Sequence, residues 1–226
     1  ITNPEVAPRL LWSFSDDNLG FTTSYPTPIR VGSKWFIVFG SGPDNYEATR
    51  DTAYGGSNRK ASLYILNAAD GTLAREFSMG AATHSFMAAP IAVDFDLATT
   101  VDGNGDILWT GEAIYIASDG CDAGQEGQVF RIKTNEDEDP NNWIKKVFFN
   151  PNHGSDHQHI STALSVAKDD EGRIWVYFGT GRFWSSLDRQ SPYMDYQNAF
   201  YGIKEPVDAN GTLTYKKVGT LSMEPL

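Results

Sequence analysis

One unit recurs along this sequence and restricts the fold more than any other feature. Three stretches carry an apolar, aromatic-rich strand that ends in small residues: KWFIVFGSG (Lys34–Gly42), EAIYIASDG (Glu112–Gly120) and RIWVYFGTG (Arg173–Gly181). Each follows another apolar stretch: TPIRVG, APIAVDFD and TALSVAKDD. Each precedes a third strand, ASLYILNAADG, GQVFRIKTNED or AFYGIKEPVDANG, and then a fourth, TLAREFSMG, WIKKVFFN or LTYKKVGTL. Apolar and polar residues partly alternate within these segments, the period of a half-buried strand. ADG and ANG mark tight turns between the third and fourth strands.

A four-stranded unit repeated in this way is a β-propeller blade. One blade cannot bury both of its faces, so neighbours must stack. The expected fold is all-β: a propeller of four-stranded blades, with boundaries near 24–82, 84–150 and 160–221. Propellers close with about four to eight blades; with about three to four blades present, of which three are complete, the ring is expected to stay open. The chain is then expected to be part of a larger ring, completed by the rest of a longer protein or by a companion chain. The leading segment PRLLWSFSDDNLGFTTSYP (Pro8–Pro26) is expected to supply a strand of another blade. A β-sandwich of a dozen strands is the competing fold, and repetition of the whole four-strand unit favours the propeller. Helix signals are scarce. Ser185–Asn198 is the one long polar segment that suits a helical turn, and Pro192 keeps any such helix short.

The composition agrees with this fold. Among 226 residues, 13% are aromatic and 40% hydrophobic, with 21 Gly and 11 Pro to make turns. The formal net charge of -11 repels nucleic-acid backbones and anionic lipid headgroups and suits divalent cations. No apolar run reaches the ~20 residues of a transmembrane helix. No signal peptide stands at Ile1, so a mature or cut N-terminus is expected. The single cysteine, Cys121, has no second cysteine in this sequence to pair with and reads as a free thiol, or as a partner for another chain or for a further part of its own protein.

The stretch VDFDLATTVDGNGD (Val93–Asp106) places Asp94, Asp96, Asp102, Asn104 and Asp106 within fourteen positions. Like charges this close repel, so the segment is either a solvated turn or a cation loop. Calcium takes six to eight oxygen ligands, and DGNGD presents them at alternate positions, with Gly103 and Gly105 allowing a tight curl. Leu108 adds a backbone carbonyl at the seventh position. Glu112, with its longer arm, is the candidate to close the shell, and Asp94 and Asp96 are the alternative. The bland reading is an Asx turn, which favours the same residues.

Other motifs are weaker. HGSDHQH (His153–His159) sets His157 and His159 at i and i+2, one face of a strand, with Asp156 and His153 nearby. Two histidines without a Cys partner make a poor metal site, and His84 reads as a core or turn residue. GTGRF lacks the G-K-[ST] ending of a phosphate loop. Gly179 and Gly181 there suit close packing or a bulge, and Arg182 is expected to pair with an acidic neighbour. Asn210–Thr212 matches a glycosylation acceptor, but a hairpin turn explains its Asn-Gly. Neither G-x-S-x-G nor H-E-x-x-H is present, and no pair of carboxylates stands out. The expectation is a protein that is not an enzyme.

Taken in order, PRLLWSFSDDNLGFTTSYPTPIRVGSKWFIVFGSG, YILNAADGTLAREF, MAAPIAVDFD, AIYIASDG, GQVFRIKT, WVYFGTGRFW and QNAFYGIKEP resemble the C-terminal β-propeller of the PilY family. Its members are type IV pilus tip-associated adhesins and assembly factors of Gram-negative bacteria. The likeness spans nearly the whole chain, and FGTGR followed by FYGI is its most specific part. It implies a calcium loop just before the AIYIASD strand, with cation-linked pilus extension and retraction. It further implies minor pilins at the pilus tip as partners, a host or surface receptor, roles in adhesion and twitching motility, and a cell-surface location. The family pattern expects an acid at position 110, where Thr110 stands instead, and LATTV between Asp96 and Asp102 reads as an insertion. NAADGTLAREF also resembles quinoprotein dehydrogenase repeats, so an oxidoreductase propeller is the alternative. Phe77 replaces the usual Trp of that repeat, which fits loss of the cofactor. A secreted ligand-binding propeller unrelated to pili is the third possibility.

Overall fold

The structure, a computed structural model, describes residues 9–44, 60–83, 85–95, 110–120, 127–151, 158–182 and 198–205. Within them the chain is all-β, apart from one 3-10 turn at Pro140–Asn142 capped by the Asp139 carboxylate. β1 (Thr27–Val31), β2 (Lys34–Gly40), β3 (Lys60–Asn67) and β4 (Leu73–Thr83) form the first antiparallel sheet, in sequence order. β5 (Ile91–Val93), β6 (Ala113–Ser118), β7 (Gln128–Lys133) and β8 (Ile144–Phe149) form the second in the same order. β9 (Ser165–Lys168), β10 (Ile174–Gly179) and β11 (Phe200–Lys204) give three strands of the third. The fourth strand expected there, LTYKKVGTL, lies outside the described residues, as do Cys121, His84 and Asn210–Thr212.

Two cores explain the stacking. Phe36, Val38, Leu63, Ile65 and Phe77 of the first sheet meet Ile114, Ile116, Phe130 and Ile132 of the second. The opposite face of the second sheet, with Tyr115, Ala117 and Val129, meets Val176, Phe178 and Ile203 of the third. A strand flanked by sheets on both sides reads as a continuous apolar run, and every residue of β6 is buried.

The ladders fix which positions are equivalent. Ile29 pairs with Phe36, Val93 with Ala113, and Ala167 with Trp175. Phe36, Ala113 and Trp175 therefore occupy one position in three sheets, as do Val38, Tyr115 and Tyr177. In the first two sheets this face is covered by the next sheet. In the third it bears Trp175, Tyr177 and Phe200, with rings stacked 6.3 and 6.5 Å apart. Phe200 there is 66% exposed.

The leading segment departs from expectation. Residues 9–26 are in no strand. They cross the first sheet on the face turned away from the second. Phe14 packs on Phe39 and Tyr64, Trp12 Nε1 donates to the Ala68 carbonyl at 3.1 Å, and Tyr64 Oη donates to Asp16 at 2.9 Å. Phe39 and Tyr64 alternate with the residues facing the second sheet, so they present a second apolar surface that this segment covers. The ADG turn lies against it: Gly71 has φ +72°, and a Cβ there would strike the Trp12 ring.

Candidate functional site

The acidic loop joins β5 to β6, and hydrogen bonds hold the residues at its two ends. Glu112 N donates to Val93 O at 2.9 Å, extending the β5–β6 ladder, and Thr134 Oγ1 donates to Gly111 O at 2.7 Å. Gly111 N donates to Arg30 O at 2.6 Å, which fastens this end of the loop to β1 of the first sheet. Only glycine fits there, because a Cβ would stand 2.4 Å from Ile29 Cγ1. The Glu112 carboxylate reaches back across the neck and accepts from Phe95 N at 2.6 Å. Asp94 accepts from Thr110 N at 3.3 Å. Lys168 of the third sheet donates to Phe95 O at 2.7 Å. Two of the carboxylates singled out by the sequence thus stand at the neck of one loop, each holding the opposite side of it.

Asp96, Asp102, Asn104, Asp106 and Leu108 lie outside the described residues. Among the described residues no three His, Cys, Asp or Glu side chains cluster closely enough to hold a metal. His153, Asp156 and His157 also lie outside the described residues. His159 is buried, and its Nδ1 lies 2.9 Å from the Asp119 carbonyl, so it belongs to the junction between the second and third sheets.

That junction holds two buried polar groups, of which the sequence had singled out only Arg182. Arg182 Nη1 donates to Asp119 Oδ2 at 3.1 Å, with both side chains almost wholly buried. Arg182 thereby has the acidic neighbour expected of it. By the same ladder equivalence, Asp119 stands where the first and third sheets have Gly42 and Gly181. The second group joins β6, β7 and β11. Arg131 Nη1 donates to both carboxylate oxygens of Glu205 at 2.7 Å, and Tyr115 Oη donates to the same carboxylate. Glu205 is completely buried and Arg131 is 6% exposed. Burial, reinforced by the neighbouring Glu205 charge, pushes the Tyr115 phenol far above its ordinary value. It remains a neutral donor at any physiological pH.

No family model matches the chain. A curated relative, "Type IV pilus biogenesis factor PilY1 homolog" of Xylella fastidiosa, is 26% identical over 223 residues, covering 90% of this chain and 14% of the relative. The chain thus spans about one seventh of that protein. Among solved structures, the C-terminal domain of Pseudomonas aeruginosa PilY1 superposes with a TM-score of 0.59 at 18% identity, over 82% of this chain and 37% of that one. The sequence likeness and the fold likeness both support the resemblance to a PilY C-terminal domain. Among the described residues, no helix is long and apolar enough to cross a membrane.

Proposed function

We propose that this chain is a calcium-binding, non-enzymatic β-propeller module of a type IV pilus tip-associated protein, acting in pilus biogenesis, adhesion and twitching motility at the cell surface. The observation that carries the pilus assignment is that independent likenesses in sequence and in fold fall on PilY1 proteins. Minor pilins at the pilus tip are the proposed partners, with a host or surface receptor for adhesion. Further blades, from the remainder of a longer chain or from a companion chain, complete the ring. The aromatic face of Trp175, Tyr177 and Phe200 supports this, because the equivalent faces of the first two sheets are covered by the next sheet.

The acidic loop is the proposed calcium site. Its oxygen donors suit a hard cation: Asp102, Asn104 and Asp106 from alternate positions, the Leu108 carbonyl, and Glu112 or the pair Asp94 and Asp96 to complete the shell. Asp94 and Glu112 fit this role in that both carboxylates already stand at the neck of the loop. The cation would neutralise the mutual repulsion of the acids and tie the β5–β6 connection to β1.

The pilus assignment is tested by deleting this segment from its gene in the organism that carries it. Surface pili counted by electron microscopy and twitching zones on agar are expected to fall well below those of the parent. Wild-type piliation and motility in the deletion strain, with the truncated protein present, would refute the assignment.

A further inference from the structure

A second site lies at the opposite end of the sheets from the acidic loop, where β1, β5 and β9 begin. A cavity of about 710 Å3 opens there, within the range of small-molecule pockets. Its lining mixes apolar and polar residues. Phe86, Ala88 and Ala89 are among the apolar ones, and Tyr25 also lines it. Tyr25 is 77% exposed, so its ring is accessible to a ligand. The lining also includes Ser161, Thr162, Asn198 and Arg182, whose guanidinium lies 6.0 Å from the centroid of the Phe86 ring. Ser161 Oγ donates to Gly181 O at 3.0 Å, which orients its lone pairs as acceptors. The Arg182 charge is balanced in place by buried Asp119 at 3.1 Å.

A ligand that matches this lining has an apolar face to lie on an aromatic ring and a rim of hydroxyls to exchange hydrogen bonds. An anion is disfavoured, because the Arg182 charge is already paired with Asp119 and the net charge of -11 repels it. Sugars have this build: C–H groups on one face and hydroxyls around the edge. We propose that this pocket binds a neutral saccharide of one or two units, with Tyr25 as the stacking surface and Thr162 and Asn198 as hydrogen-bonding partners. The site is separate from the acidic loop and stands or falls independently of the pilus assignment.

Saturation-transfer NMR on the full chain tests it, with glucose, galactose, N-acetylglucosamine and lactose as probes. N-acetylneuraminic acid serves as the anionic control and triglycine as the peptide control. At least one neutral sugar is expected to bind saturably. Tyr25→Ala and Asn198→Ala are each expected to weaken it by about five-fold or more, the scale of losing one well-placed contact, with the melting temperature unchanged. Absence of transfer to all four neutral sugars overturns the proposal. So does equal or stronger binding of either control, and so does parental affinity in both variants.

Discussion

Arg131→Met isolates the buried ion pair between the second and third sheets. In the parent, the Arg131 guanidinium holds both oxygens of Glu205 at 2.7 Å, and both side chains are almost wholly buried. Methionine keeps most of the volume of the arginine stem and removes the charge. Glu205 then stays buried with the Tyr115 hydroxyl but without its counter-charge. Removing one partner of a buried pair costs about 3–5 kcal/mol, because a lone charge is left in a dry interior. For a chain of this length, 1 kcal/mol shifts the melting temperature by about 2–4 °C, so the midpoint should drop by roughly 6–20 °C. The double variant Arg131→Met/Glu205→Met replaces the pair with apolar side chains and is expected to regain most of that loss, since such swaps are often neutral. Thermal denaturation followed by circular dichroism reads both variants. A single variant within about 2 °C of the parent, or a double variant less stable than the single, would refute the idea that the pair acts as a coupled unit at this junction.

Three further perturbations test other parts of the fold. Gly111→Ala drives a Cβ to within 2.4 Å of buried Ile29 and is expected to destabilise the chain by about 1–3 kcal/mol in urea unfolding; an unchanged midpoint would mean that the loop end does not sit against β1. Asn135 and Glu136 form a turn with φ of 54° and 56°, a region that strains residues bearing a Cβ, so Glu136→Gly is expected to stabilise by up to about 1 kcal/mol, and a loss in the same assay would contradict that backbone. Burial raises the Asp169 carboxyl, but hydrogen bonds from Trp175 and Arg173 outweigh it and hold the group well below the ordinary carboxylate value; the stabilisation is therefore present above about pH 4 and lost as pH falls further. Asp169→Asn should flatten the decline of the melting temperature between about pH 4 and pH 2, and a slope equal to that of the parent would remove Asp169 as a contributor.

Much of the architecture was legible because it rests on local patterns. Period-two runs such as Leu63, Ile65 and the small-residue exits after Phe39 and Phe178 mark strands without knowledge of their neighbours. The Asp70-Gly71 turn was readable for the same reason, since its left-handed φ is a property of one residue. What escaped the sequence is contact between sheets. Tyr115 and Glu205 are 90 positions apart, and Arg131 and Glu205 are 74 apart. No periodicity within a strand reports such a pairing. Asp119 was hidden in a segment resembling a turn, where it places a carboxylate in the core beside Arg182 at a position that is glycine in the other two sheets. The leading segment was expected to supply a strand, yet Trp12 and Phe14 lie on the first sheet instead. For the acidic loop, the sequence identified Asp94 and Glu112 as candidates, and the structure adds that each accepts a backbone N–H across the neck.

Calcium titration calorimetry on the full chain tests the central claim most directly. One saturable site is expected, with a dissociation constant within the range of protein calcium sites, roughly 10⁻⁷–10⁻³ M. Binding should be abolished in Asp102→Ala and in Asp106→Ala and weakened in Glu112→Gln, and melting should occur at a higher temperature with calcium than with chelator. Absence of binding heat together with equal melting temperatures in calcium and chelator, or binding that survives both Asp102→Ala and Asp106→Ala, would contradict the assignment of this loop as a calcium site.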